Sequence, residues 1–261
     1  MKYILLLFFF FSPSVRGQDN SNWIIEAFSG ASSYNGDLVQ GNFPLSRPAL
    51  LVGGNIKYTL SPHFSLRGGV SFGSLYANDS KNKDPELIQR NLSFKTKLSE
   101  YSLGCEFNIN SWEEYYYTPY LFAGVGIYNF NPYAFDKLNN KVFLQPICTE
   151  GQGLPDFPNR KKYALSQLCL PIGVGFKYEL TNKITLSYEF DYHIIFTDYL
   201  DDVSSSYVSL DKLQETYGAP SAELSFRQDG VPFKKRLGEK RGDLKNRDVY
   251  YFTFLKLSTF L

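Results

Sequence analysis

Residues 184–196 read ITLSYEFDYHIIF. Ile184, Leu186, Tyr188, Phe190, Tyr192, Ile194 and Phe196 share one parity, and Thr185, Ser187, Glu189, Asp191 and His193 share the other. Strict alternation marks a β-strand whose two faces meet different surroundings. A soluble sandwich would turn the aromatic face inward. A membrane barrel would turn it outward to lipid. The rest of the chain decides between them.

Alternating segments recur throughout. They begin with NWIIEAFSGAS, ALLVGGNIKYTL, FSLRGGVSFGSLYA and LSFKTKLSEYSLGCEFNI, and continue with TPYLFAGVGIYNF, LSQLCLPIGVGFKYEL, the opening stretch and DVYYFTFLKLSTFL. Each is long enough for the roughly 9–11 residues that a tilted membrane strand needs. No amphipathic helix is read between them, which predicts an antiparallel sheet of eight strands. The connections at 61–63, 111–117 and 181–183 are short, whereas those around 33–47, 77–91, 131–163 and 201–247 are long and polar. Alternating short and long connections fit an outer-membrane barrel with periplasmic turns and extracellular loops. A lipocalin-like barrel has no reason to gather every long loop at one end.

Parity agrees. Leu50, Val52, Ile56, Tyr58, Leu60, Phe64, Leu66, Val70, Phe72, Leu103, Phe107, Ile109, Leu170, Ile172, Val174, Phe176 and Tyr178 fall on one face. Glu26, Asn55, Lys57, Thr59, Arg67, Ser71, Glu100, Glu106, Asn108, Lys177, Glu179, Glu189 and Asp191 fall on the other. Aromatic residues make up 17% of the chain and gather at strand ends, as lipid interfaces select. Trp23, Tyr58, Phe64, Trp112, Tyr115, Tyr116 and Tyr117 lie near the short turns, and Tyr76, Tyr128, Phe130, Phe196 and Tyr199 near the long loops. The expected fold is therefore an all-β, eight-stranded antiparallel transmembrane barrel. Tyr188, Phe190 and Tyr192 should face lipid, and Glu189 and Asp191 a polar lumen.

The opening MKYILLLFFFFSPSVRGQ has a basic start, an apolar run too short to span a bilayer, and small residues before Gln18. It reads as a cleaved signal peptide over residues 1–17, leaving a barrel domain over 18–261 in the outer membrane. A net charge of +1 gives no reason to expect a nucleic-acid partner. Three Cys argue against a disulfide framework, and pairing of Cys148 with Cys169 stays open.

An eight-stranded lumen is just wide enough for side chains to fill. Lys57, Arg67 and Lys177 should pair there with Glu26, Glu100, Glu106, Glu179, Glu189 and Asp191 as a structural network, because an unpaired buried charge is costly. A small outer-membrane enzyme is the competing reading. His193 lies near Asp191 and could act as a general base, but no nucleophile motif accompanies it. TDYLDDV at 197–203, with Glu150 and Asp156, raises a cation question, against which Asp198, Asp201 and Asp202 read as turn and capping residues. No cofactor, metal site or catalytic residue is expected.

YNGDL (34–38), RNLSF (90–94), TPYLFAGVGIYNFNPYA (118–134), LQP (144–146), TEGQGLP (149–155), TDYLDDVS (197–204) and RGDLKNRDVYYF (241–252) together resemble the PorG-like outer-membrane barrels of Bacteroidota, a family associated with type IX secretion. The resemblance implies a barrel without enzymatic activity, set in outer-membrane lipids, that works with a periplasmic ring of a lipoprotein and its partner. The turn carrying Trp112, Tyr115, Tyr116 and Tyr117 is the expected contact for that partner, since aromatics dominate interface hot spots. A surface-binding barrel using the long loops is a further possibility.

Overall fold

The computed structural model describes residues 22–39, 47–111, 115–228, 230, 232–245 and 247–261. The expected signal peptide and Trp112 lie outside these residues. Eight long strands form the wall: β1 (Trp23–Asn35), β2 (Ala49–Thr59), β3 (Phe64–Asn78), β4 (Ser93–Asn108), β5 (Tyr117–Phe130), β8 (Ser166–Thr181), β9 (Ile184–Ile195) and β10 (Val249–Phe260). A small hairpin, β6 (Tyr133–Phe135) and β7 (Lys141–Phe143), rises from the connection between β5 and β8. Every long strand pairs antiparallel with its neighbours, β3 with β4 and β1 with β10, so the sheet closes on itself.

The wall answers the question posed by residues 184–196. Leu50, Ile56, Leu103, Ile172, Val174 and Tyr188 are exposed on the outside, while Glu26, Lys57, Arg67, Glu106, Lys177 and Glu189 are buried inside. A closed barrel with an apolar exterior and charged interior is a membrane-spanning one, because lipid replaces water around the wall and closure leaves no unpaired edge. Among the described residues no helix is long and apolar enough to cross a membrane.

Two expectations need correction. Tyr128 and Phe130 do not belong to an outer girdle: both are buried and point into the barrel mouth. They share the inward parity of Tyr120 and Phe122, while Leu121, Val125 and Ile127 face out. The long connections also contain short helices: α1 (Pro85–Arg90), α2 (Leu144–Ile147), α3 (Leu210–Tyr217) and α4 (Ala219–Ser225). Asp84 caps α1 through the Glu86 N–H. Leu213 of α3 packs with Leu154 and Val208 in a small core of its own. Gly218, at φ +89°, lets the chain turn between α3 and α4. These segments are too short for periodicity to reveal them. All three cysteines are free thiols, so Cys148 and Cys169 do not pair.

Candidate functional site

The lumen is filled by two unlike layers. Toward the short turns, Lys57, Arg67, Lys177 and Lys256 interleave with Glu26, Glu106, Glu189 and Asp191, all buried. Lys57 Nζ donates to Glu26 at 3.0 Å and to Glu106 at 3.1 Å. Arg67 holds Glu189 with a two-pronged pair at 2.7 Å for each prong, and its guanidinium lies 3.4 Å over the Phe122 ring. Lys177 donates to Glu106 and to Asn108. Lys256 stands 3.2 Å from Glu26 and 2.8 Å from Glu189. Tyr120 adds a hydroxyl donor to Glu189. Four cations thus gather around Glu26, Glu106 and Glu189, whose multiple hydrogen bonds are what make such burial tolerable, while Asp191 stands 4.0 Å from Arg67 with one oxygen lacking a hydrogen bond among the described residues.

Register explains how they meet. Lys57 and Arg67 are directly opposed across β2 and β3, and Glu189 faces Gly175 across β8 and β9. Gly175 is required where it is: a Cβ there would lie 2.3 Å from the Tyr120 ring. Alternation in the sequence places Glu26, Lys57, Arg67, Glu100, Glu106, Lys177, Glu189 and Asp191 correctly on the inner face. Glu179 is the outlier, half-buried one lumen position nearer the short turns, with its N–H on the Tyr116 carbonyl. Sequence reasoning missed Lys256, although it sits between Leu255 and Leu257 with the alternation that marks an inward residue.

Toward the long loops the polar lumen gives way to an aromatic plug. Phe94, Leu98, Tyr128, Phe130, Tyr250 and Phe252 fill it. His193 lies between the layers. Its Nε2 is 3.2 Å from Glu100, which also accepts from the Tyr250 hydroxyl at 2.6 Å. The imidazole stacks on Tyr250 at 4.3 Å, and its partner is Glu100 and not Asp191.

Above the plug the loops form a cap pinned by two arginines. Arg90 bonds Asp79, the Arg241 carbonyl at 2.6 Å and the Asp37 carbonyl at 2.8 Å, joining three loops. Arg241 bonds Glu150 at 3.0 Å, whose carboxylate also accepts the Ser204 and Ser205 N–H groups. The acids of the candidate cation loop are engaged otherwise. Asp201 accepts the Val203 N–H at 2.8 Å in an Asx turn, and Asp156 pairs with Lys212. Among the described residues no group of His, Cys, Asp or Glu side chains is arranged to hold a metal ion.

The Tyr34 hydroxyl lies between Asp201 and Asp248. Burial pushes both well above the usual carboxylate range, helped at Asp201 by the Asp248 carboxylate and at Asp248 by that of Asp198. Burial likewise raises Asp37 and Asp202 to about 6 and Asp198 to about 7.

At the other end, Tyr115, Tyr116 and Tyr117 are exposed, Tyr116 most of all at 61%. Tyr117 stacks on Phe176 at 5.9 Å.

A family model described as Domain of unknown function (DUF6089) matches residues 1–219. The chain belongs to the DUF6089 family. DUF6089 thus covers β1 to β9 and most of the cap. No curated protein matches the chain. Among solved structures it is similar to Neisserial surface protein A, with 10% identity, 92% of this chain and 98% of that chain covered, and a TM-score of 0.46. It is also similar to a major outer membrane protein from Thermus thermophilus, with 14% identity, coverage of 91% and 98%, and a TM-score of 0.44. Ail, the attachment invasion locus protein of Yersinia pestis, gives 11% identity, coverage of 91% and 95%, and a TM-score of 0.41 in its complex with sucrose octasulfate. Likeness at this level is loose, and the barrel assignment for this DUF6089 member rests on its own closed strand register.

Proposed function

We propose that this chain is a non-enzymatic barrel of the bacterial outer membrane that anchors or positions a periplasmic ring of the type IX secretion machinery. The observation that carries the reading is the filled lumen. A charge layer, an aromatic plug and a pinned cap occupy the interior in series, so the work of the barrel falls to its wall, turns and loops. His193 is buried, stacked and tied to Glu100, which supports a structural role. The motif set from YNGDL to RGDLKNRDVYYF supports the secretion assignment. In this reading the short turns face the periplasm and the exposed Tyr115, Tyr116 and Tyr117 meet the ring lipoprotein or its partner; Trp112 lies outside the described residues.

Deleting the gene should abolish export of type IX cargo and release the ring from outer-membrane fractions. His193→Ala should leave export intact, and a folded Tyr116→Ala barrel should weaken ring retention. Normal export by the deletion strain removes the machine role. Loss of function in a folded His193→Ala barrel replaces it with the enzyme reading.

A further inference from the structure

A polar cavity of about 210 Å³ opens where three long connections meet in the cap, and neither the lumen network nor the proposed secretion role uses it. Its frame is rigid. The backbone of 205–207 pairs with that of 238–242: Arg241 N–H and Gly242 N–H donate to the Ser205 carbonyl, Tyr207 N–H to the Glu239 carbonyl, and Gly238 N–H to the Tyr207 carbonyl. Arg90 fixes the opposite side through Asp79, Asp37 and Arg241.

What the frame presents is a set of donors. Tyr207 is 3% exposed, its ring held by Phe226 and Phe233, yet its hydroxyl has no hydrogen-bond partner among the described residues. A buried hydroxyl left unpaired is unfavourable, so such groups mark a place where an acceptor belongs. Arg241 commits Nε and Nη1 to Ser225, Glu150 and Asp202, while its Nη2 stands 3.9 Å from Asp202 Oδ2, beyond hydrogen-bond range. At the rim, Arg236 uses Nε and Nη1 on Gln228 and Glu239, and Lys240 is 3.4 Å from Asp243. The cavity also has carboxylates: Asp37 receives the Asp243 N–H, Asp243 pairs with Lys240, and Glu86 is exposed at the start of α1. Among the lining side chains the balance is positive, with Arg90, Arg236, Lys240 and Arg241 against Asp37, Glu86 and Asp243.

We infer that this cavity binds a phosphate group, with the Tyr207 hydroxyl and Arg241 Nη2 as buried donors and Arg236 and Lys240 closing over it from the rim. Convergent donors with two guanidinium groups suit a small, multiply charged oxyanion better than a neutral solute. The phosphate belongs either to a lipid headgroup or to a soluble ion, and the test separates them.

Inorganic phosphate is titrated at constant ionic strength into the folded full-length barrel in maltoside micelles, which contain no phosphate, and followed by calorimetry. One saturable site is expected. Tyr207→Phe keeps the ring packing and removes only the unpaired hydroxyl, so the ligand-free barrel should be no less stable while the Kd rises about tenfold or more, as for a lost hydrogen bond to a charged group. Arg236→Gln with Lys240→Gln should abolish binding. Failure of the wild-type protein to take up phosphate, or equal uptake by all three, overturns the proposal. Mass spectrometry of the barrel extracted from its own membrane names the source. A phosphorylated lipid kept by the wild type and lost by both variants assigns a headgroup, whereas phosphate binding with no retained lipid assigns a soluble ion.

Discussion

The two layers of the lumen lie in one barrel, on the same eight strands, and are held by opposite means. In the charge layer the cations are fixed by their carboxylate partners, so that Arg67 has one place to be because Glu189 takes both of its prongs. In the plug, Phe94, Leu98, Tyr128 and Phe252 are fixed by shape, through ring contacts such as Tyr128 on Phe130 at 5.5 Å. The difference teaches that deleting atoms and deleting charge are separate perturbations, and each layer should respond mainly to one of them.

The largest effect should come from leaving charge behind. Glu189→Ala removes the anion shared by Arg67 and Lys256, and stranding one side of a buried pair costs about 3–5 kcal/mol. Urea unfolding in micelles should show it, and Glu189→Gln should fall well short of wild type for the same reason. In the plug, Leu98→Ala leaves a cavity and should cost about 2–5 kcal/mol, most of it recovered by Met, since shape and not charge is in demand there. Full recovery of the charge layer by a neutral isostere would erase the contrast.

A milder effect should follow from pH, and only in the cap. Asp37 and Asp202 titrate at about 6 and Asp198 at about 7, raised in the folded cap above their unfolded value. Folded-state carboxyls that hold their protons longer than unfolded ones give stability at low pH that is lost as pH rises through the folded value. Arg90 and Arg241 face these groups and temper the loss, the Glu150 and Asp243 carboxylates add to it, and the sign stays the same. Hydrogen exchange over residues 196–248, corrected for intrinsic rate, should therefore be faster relative to the barrel strands at pH 8 than at pH 5. Equal protection at both values would mean that the acids are neutralised by some other group. Smallest of all should be Asp156→Asn, which breaks an exposed pair with Lys212 and should change stability by less than about 1 kcal/mol.

The same contrast explains what can be read in the sequence. Where the inner residue is charged and the outer one apolar, as at Glu189 beside Tyr188 and Phe190, alternation assigns both faces without ambiguity. Near the long loops the inner positions turn aromatic as well. Tyr128 then looks no different from a lipid-facing residue, and the plug reads as part of a girdle. Lys256 is legible by the same alternation, a single charge between Leu255 and Leu257 in an otherwise aromatic and aliphatic closing strand. The cap is not legible, since its fastenings join Arg90 to Arg241 and Glu150 to Arg241 over long stretches of chain, and no local pattern announces a contact of that kind.

Lys256 also makes the barrel's completion a matter of timing. It sits on the last strand and neutralises Glu26 on the first and Glu189 on the strand before it. Until β10 arrives, those carboxylates face the forming interior one cation short, and β1 and β9 expose open edges that lipid cannot satisfy. A chain interrupted before residue 249 is thus penalised twice, electrostatically and by unpaired backbone. β10 thus completes the charge layer and the hydrogen-bonded wall together, tying the closing of the sheet to the neutralising of its interior.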